Sequence, residues 1–353
     1  MAKGQTYNYE RIPRVDPITG TRYMQLTSFP TINMHLSYCY PNLTNGFTAD
    51  SRRVVFLSRR AAHRTAPWDV FRVGVDGADF VQLTEREGVR GAVVSSQKPL
   101  VYFHSNGTLY SVDMDTFEEE EISHFETDQS QHGGRFSAWL SADERFCFVS
   151  AFDKSGYELI VRHATDGSGT AVIASAAEMR IHSIDPAGRG LFVSLNENGR
   201  WIIWLVDFDG ARVVRYGENV CSHLSPLGNT GALQGCAVWP EHSLLLLTPG
   251  QERENRLLSG PDFWHSSASP DGRWIVADTN RPNEGIFLVN VATRRSAVLL
   301  HPHNVGGDAP WSHAHPFFSP DMRYVAFTTD ATGSAQVCLV EIPASLTEQL
   351  ARP

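Results

Sequence analysis

The chain has 353 residues, 42% of them hydrophobic and 20% charged, and a formal net charge of −9. That composition suits a large folded core and excludes a disordered chain, while the negative charge argues against nucleic acid and anionic membrane surfaces as partners. The start, MAKGQTYNYERIP, has no apolar leader, and no stretch approaches the roughly 18 apolar residues needed to span a bilayer. A soluble cytoplasmic protein is expected.

In chain order the first extended segment is MQLTS (24–28). A polar tight turn then recurs after short apolar segments: FTADSR with Asp50, SSQKPL with Gln97, SADERF with Asp143, DPAGRG with Ala187, SPLGNT with Leu227, SPDGRW with Asp271 and SPDMRY with Asp321. The intervals are 47, 46, 44, 40, 44 and 50 residues, the period of four-stranded propeller blades. Each turn leads into apolar or alternating runs rich in β-branched and aromatic residues, such as RRVVFLS, RFCFVSAF and RWIVADT. Outer segments VQLTE, EEEISHF, AVIASA, VVRYGE, NRLLS and AVLLHP close six units, whereas the seventh ends at EIP without one. The missing strand is supplied by residues 24–28. The sequence predicts an all-β protein, a single seven-bladed β-propeller domain over 1–353 whose ring is closed by the N-terminal strand completing the last blade. Its blades fall at about 29–85, 86–125, 126–176, 177–218, 219–259, 260–302, and 303–343 plus 24–28.

Histidines lie in phase with this repeat. His182 (HSIDPAG), His223 (HLSPLGN), His265 (HSSASPDG), and His313 and His315 (HAHPFFSPD) stand four to eight residues before the anchors of blades four to seven, and His35 (NMHLSYCYPN) leads into blade one. Residues that begin the innermost strands ring one mouth of the channel, so these imidazoles are expected to face one another. A lone histidine near a turn is usually structural, but five in phase across four adjacent blades point to a site. The HxH spacing on an extended strand turns both rings to one face, suitable for one metal ion. Imidazoles suit manganese, iron, nickel or zinc. A neutral nitrogen shell leaves a cation strongly positive, which favours Lewis-acid action on an anionic ligand.

Further candidates at the same mouth are His132 and Arg135 (QHGGRFSAW) and the tryptophans Trp264 and Trp311, which could stack on a bound ligand or serve as core wedges. His182 and His35 are read as substrate contacts, with a strand-end hydrogen bond as the alternative for His182. Glu118 to Glu121 read as a solvated outer strand, and His301 and His303 as surface residues. The five cysteines (Cys39, Cys147, Cys221, Cys236, Cys338) form no CxxC pair and are expected to be reduced and buried.

The segment WSHAHPFFSPDMRYVAFTTDATGSAQVCLVEIP, the opening MAKG with DPITGTRYMQLTS, NGRWIIWLVDFDG, and the Cys221–His223 triplet CSH resemble the bacterial oligogalacturonate lyases of polysaccharide lyase family 22, TolB-like β-propellers. The resemblance implies that His265, His313 and His315 hold a divalent metal, manganese in that family, and that His223 is the Brønsted base. It implies that Arg200 holds the substrate carboxylate or offsets charge near the base, and that the substrate is a short anionic oligosaccharide cleaved by β-elimination in the cytoplasm. In one place the chain departs from the family pattern. Pro310 stands where the family has a glutamine ligand, so Asp308, His182 or water would have to replace it. A lyase or epimerase for another uronic acid, and a noncatalytic TolB-like binding propeller, are the alternative functions; a serine peptidase is disfavoured because no GxSxG elbow is present.

Overall fold

The computed structural model describes residues 2–36, 46–60, 66–126, 138–237, 241–251, 255–279, 285–305 and 312–352. Seven antiparallel sheets follow one another along these residues, and the one α-helix among them is C-terminal, Ala344–Ala351. Seven hydrophobic clusters fill the gaps between neighbouring sheets. Met34, Val55 and Leu57 of blade one pack on Val101 and Phe103 of blade two, and the series runs round to Phe317 and Leu339 of blade seven, which pack on Phe56 and Phe71 of blade one. A set of sheets whose last packs on its first is a closed ring. The protein is a seven-bladed β-propeller, and none of its described helices is long and apolar enough to cross a membrane.

The closure expected from residues 24–28 is present, shifted by a few residues and extended. Arg22–Gln25 pairs with Gln336–Glu341 of the last blade, with Tyr23 opposite Val340 and Gln25 opposite Cys338. A further strand, Ile12–Val15, pairs outside it, so this blade has five strands. The turn DPITGT makes the hairpin, because the Asp16 carboxylate accepts from the Ile18 and Thr19 amides at 3.1 and 3.3 Å while the Asp16 amide donates to the Thr21 carbonyl at 2.9 Å. The outermost strand carries Pro13, a residue that sheets tolerate at their edges.

His303, expected on the surface, belongs to this seam. Its Nε2 lies 2.8 Å from Asp16 Oδ1, and the amide of His301 donates to Asp16 Oδ2 at 2.9 Å. Burial would raise the Asp16 carboxyl, but the hydrogen bonds from Thr19, His301, Ile18 and His303 outweigh it and hold that group well below the carboxylate range.

The recurring turn has one hydrogen-bond pattern in all seven blades. The residue two before the Asp position donates its amide to the carbonyl five residues on, as Thr48 to Arg53, Ser141 to Phe146 and Ser319 to Tyr324. In blade five this residue is Leu227, bonded to Ala232 at 2.8 Å. The equivalent of Asp271 is therefore Asn229, 42 residues after Ala187 and 42 before Asp271, rather than Leu227. Pro226 there ends the strand instead of opening the turn. At this turn end, Ser95, Ser141, Asp185, Asn229, Pro270 and Pro320 help to line a cavity of about 410 Å³. The histidines occupy the other end. Cys147, Cys221, Cys236 and Cys338 are buried as thiols, and Cys39 lies outside the described residues.

Candidate metal centre at the histidine end

β-Bulges re-aim side chains at the start of the innermost strands. In blade four the strand Met179–Ile184 slips register between Ile181 and Ser183, which throws out His182. In blade five Cys221–Pro226 slips between Cys221 and His223. In blade six Phe263–Ala268 slips between Phe263 and Ser266, so that Trp264 and His265 together oppose one residue, Asp278, on the strand Trp274–Thr279. A bulge of this kind bends the strand and turns its side chains towards the mouth. Strict alternation would instead send successive side chains to opposite faces.

The bulge in blade five depends on Gly235 of the next strand, Leu233–Ala237. A Cβ there would lie 2.5 Å from the His223 carbonyl oxygen and 3.1 Å from Cys221 Cβ. Backbone has to move to relieve such a contact. Gly235→Ala should displace the His223 ring while the histidines carried by other blades keep their places; nitrogen-15 spectra of histidine-labelled protein test this, and an unshifted His223 resonance would refute it.

Five imidazoles meet here. One ring nitrogen from each of His265, His313 and His315 lies within 4.8 Å of the others. The His265 and His315 rings stack at 3.7 Å between centroids, His313 is 5.3 Å from His265, and His223 is 4.4 Å from His265. His35 stands behind them, 6.3 Å from His315, fully buried, with Nε2 3.4 Å from the Ala314 carbonyl. His313 and His315 do not converge by strand alternation as their spacing suggests. His315 has φ of 44°, and the strand Phe317–Phe318 begins only after it, so a left-handed backbone brings the two rings to 5.8 Å.

The other expected residues are placed differently. His182 is buried, with Nε2 2.7 Å from Ser194 Oγ on the neighbouring strand of its own blade, which matches the strand hydrogen bond weighed for it. Arg200 closes the Glu197–Arg200 hairpin at the histidine end of blade four. Its side chain is 73% exposed and its Nη1 is 4.0 Å from Glu218, so it sits on the rim rather than in the cluster. His132, Arg135, Asp308, Pro310 and Trp311 lie outside the described residues.

Two groups in the neighbourhood were not anticipated. His242, 7% exposed, packs its ring 6.0 Å from Trp264, which is also 5.9 Å from His223. Asp278, 3% exposed, accepts from the amide of His265 at 2.8 Å and from the amide of His315 at 2.9 Å, and its Oδ2 lies 2.9 Å from His265 Nδ1.

Burial governs the charge states. It lowers His35 and His223 to about 4, and it holds His265 and His315 well below 6.5, helped by neighbouring histidines. Stacked neutral imidazoles are the donor set a divalent cation takes, since protonated rings at 3.7 Å would repel one another and offer no lone pairs. The residues fit a metal. Burial also raises Asp278 to about 6, against the amide hydrogen bonds of His315 and His265.

These shifts set a pH dependence of stability for the metal-free chain. A histidine whose folded pKa lies below its unfolded value of about 6.5 binds its proton first in the unfolded chain, so stability falls as pH drops from about 6.5 towards 4. Asp278 and Asp69, raised to about 6, act in the opposite sense, but His35, His163, His223, His265 and His315 outnumber them. The urea midpoint should therefore be lower at pH 5 than at pH 7. An equal or higher midpoint at pH 5 would contradict this assignment.

No family model matches the chain. Oligogalacturonate lyase of Dickeya dadantii is 22% identical over 399 aligned positions, covering 98% of this chain and 100% of that protein. The chain resembles oligogalacturonate lyases over almost its whole length. Among solved structures, the oligogalacturonate lyase of Vibrio parahaemolyticus superposes with a TM-score of 0.80 at 19% identity, covering 98% and 100% of the two chains. An oligogalacturonate lyase in complex with manganese gives 0.79 at 18% identity, with the same coverage. Both have the fold described above.

Proposed function

We propose that the protein is a metal-dependent lyase that cleaves short oligogalacturonides by β-elimination. The observation that carries this is the convergence of three imidazoles with a fourth, His223, packed against them, in a fold shared with an oligogalacturonate lyase in complex with manganese. A uronate ring carries its carboxylate on C5 and the glycosidic oxygen on C4. Elimination removes the C5 proton, breaks the C4–O bond, forms the C4=C5 double bond and leaves the departing sugar with a hydroxyl.

His265, His313 and His315 would hold the cation, most reasonably Mn²⁺. When bound, it would supply Lewis-acid charge that lowers the cost of building negative charge on the substrate carboxylate. His223 would take the C5 proton. Its pKa of about 4, rather than the ordinary 6.5, keeps the ring neutral through the neutral range at some expense in basicity. Arg200, on the rim with its side chain exposed, is assigned to the second carboxylate of the substrate, where a guanidinium binds in bidentate fashion. His182, His35, Arg135 and Trp311 are assigned to substrate binding on their place in the sequence. We place the protein in the cytoplasm, in keeping with its buried thiols, with no nucleic-acid or membrane partner.

Incubation with Mn²⁺ and digalacturonate, following the C4=C5 product, tests the reading. Turnover with Mn²⁺ and its loss on chelation are expected. No turnover of any uronide by protein that carries no metal would overturn it.

A further inference from the structure

Asp278 is a carboxylate in contact with two of the three histidines, and sequence phase gives no reason for it to be there. It stands on the second strand of blade six, opposite the bulge that carries His265. Each of its contacts constrains something the centre needs. The ring contact, 3.0 and 2.9 Å from His265 Nδ1 to Oδ1 and Oδ2, requires a proton on Nδ1 if the carboxylate is ionised, which leaves Nε2 of that ring with its lone pair available. The amide of His265, at 2.8 Å, would otherwise be an unpaired donor at the bulge, where the strand ladder is broken. The amide of His315, from the next blade, reaches Oδ2 at 2.9 Å and is anchored in a left-handed conformation with φ of 44° that a non-glycine residue seldom adopts.

Resting on the metal-centre reading above, we propose that Asp278 is the positioning residue of the centre: it sets the tautomer of His265 and pins the backbone of His315, so that one carboxylate aligns ligands from two blades. Asp278 does not touch the metal in this account; it acts through the histidines. Nearly all metal-bound histidines have such an outer partner, and its removal typically costs 10–100-fold in metal affinity.

The experiment uses full-length protein with Mn²⁺ alone as probe. Free Mn²⁺ measured by electron paramagnetic resonance should show about 10–100-fold weaker binding in Asp278→Asn, in which one accepting oxygen survives, and a larger loss in Asp278→Ala. A double-mutant cycle separates positioning from general loosening: in a His265→Ala background Asp278→Asn should cost much less than in the wild type, since the ring it orients is gone. Equal losses in both backgrounds, or wild-type affinity in Asp278→Asn, would overturn the proposal. A metal-free readout distinguishes it from failure of the metal reading. Nitrogen-15 spectra of histidine-labelled protein, with His265 assigned by its absence in His265→Ala, should show the Nδ1–H tautomer in the wild type and a mixture in Asp278→Asn. An Nε2–H tautomer in the wild type refutes the positioning role whatever the metal does. The expected tautomer in a protein that binds no Mn²⁺ would sink the metal centre and leave Asp278 with its role in orienting His265.

Discussion

His223→Ala is expected to lower kcat on digalacturonate by about 10²–10⁴-fold, the usual contribution of a positioned general base, while Mn²⁺ affinity changes little. The separation follows from placement. His223 comes from blade five, 4.4 Å from His265 by ring centroid, whereas the three nitrogens that converge come from blades six and seven. His265→Ala and His313→Ala should instead weaken metal binding and lower activity together. His223→Gln, which keeps hydrogen-bonding capacity but cannot accept a proton at neutral pH, should resemble His223→Ala. The low pKa predicts that the acid limb of kcat/KM set by His223 lies at about pH 4 or below rather than at 6.5, since a bound cation can only move it lower. A His223→Ala enzyme within about threefold of wild-type kcat would remove this residue from the mechanism.

The largest expected loss of stability is at the seam of the ring, at Glu10→Ala. Glu10 and Arg60, 1% and 3% exposed, form an ion pair of 2.5 Å. The other carboxylate oxygen of Glu10 accepts from the amides of Ser28 and Phe29 at 2.8 and 3.0 Å, immediately after the strand that closes the ring. The Arg60 guanidinium also lies over the rings of Tyr7 and Phe29, at 4.1 and 4.6 Å. Truncating Glu10 leaves a buried cation without its partner and two amides without an acceptor. Breaking such a pair from one side costs about 3–5 kcal/mol, a large share of the roughly 5–15 kcal/mol that holds a domain folded. The double variant Glu10→Leu with Arg60→Met should lose less than Glu10→Ala alone, because no charge is stranded. Urea unfolding with a common m-value measures both. If Glu10→Ala loses under 1 kcal/mol, the pair is not sealing the ring.

Much of this molecule could be read from its sequence because propeller blades repeat both a hydrogen-bonded turn and an apolar pattern. The turn survives substitution of its residues as long as the backbone pattern is kept. In blade five that was misleading: SPLGNT carries the familiar serine and proline, but the bonded turn starts two residues later at Leu227. The histidine phase was legible for the same reason, since equal distance from equivalent turns means equal height in the ring. Asp278 and His242 were not, as neither lies on an innermost strand and their relation to the histidines arises from pairing register and side-by-side packing. The geometry of His313 and His315 was half legible. Their spacing foretold proximity, but the left-handed residue that creates it has no mark in the sequence.

Closure by strands from the two ends of the chain has a consequence for when the centre comes into being. His313 and His315 lie in the last blade, which is complete only after Gln336–Glu341 has met Arg22–Gln25, and His35 packs against His315 across the seam between last blade and first. During synthesis, blades two to six can pair locally as they emerge, while the ligand set waits for the most distant contact in the chain. Long-range pairing of this kind is slow because the loop must close before any contact rewards it. A cation that binds only the finished set draws the population towards the joined ring by mass action. Mn²⁺ should thus act late in refolding, slowing reopening of the seam more than it speeds collapse.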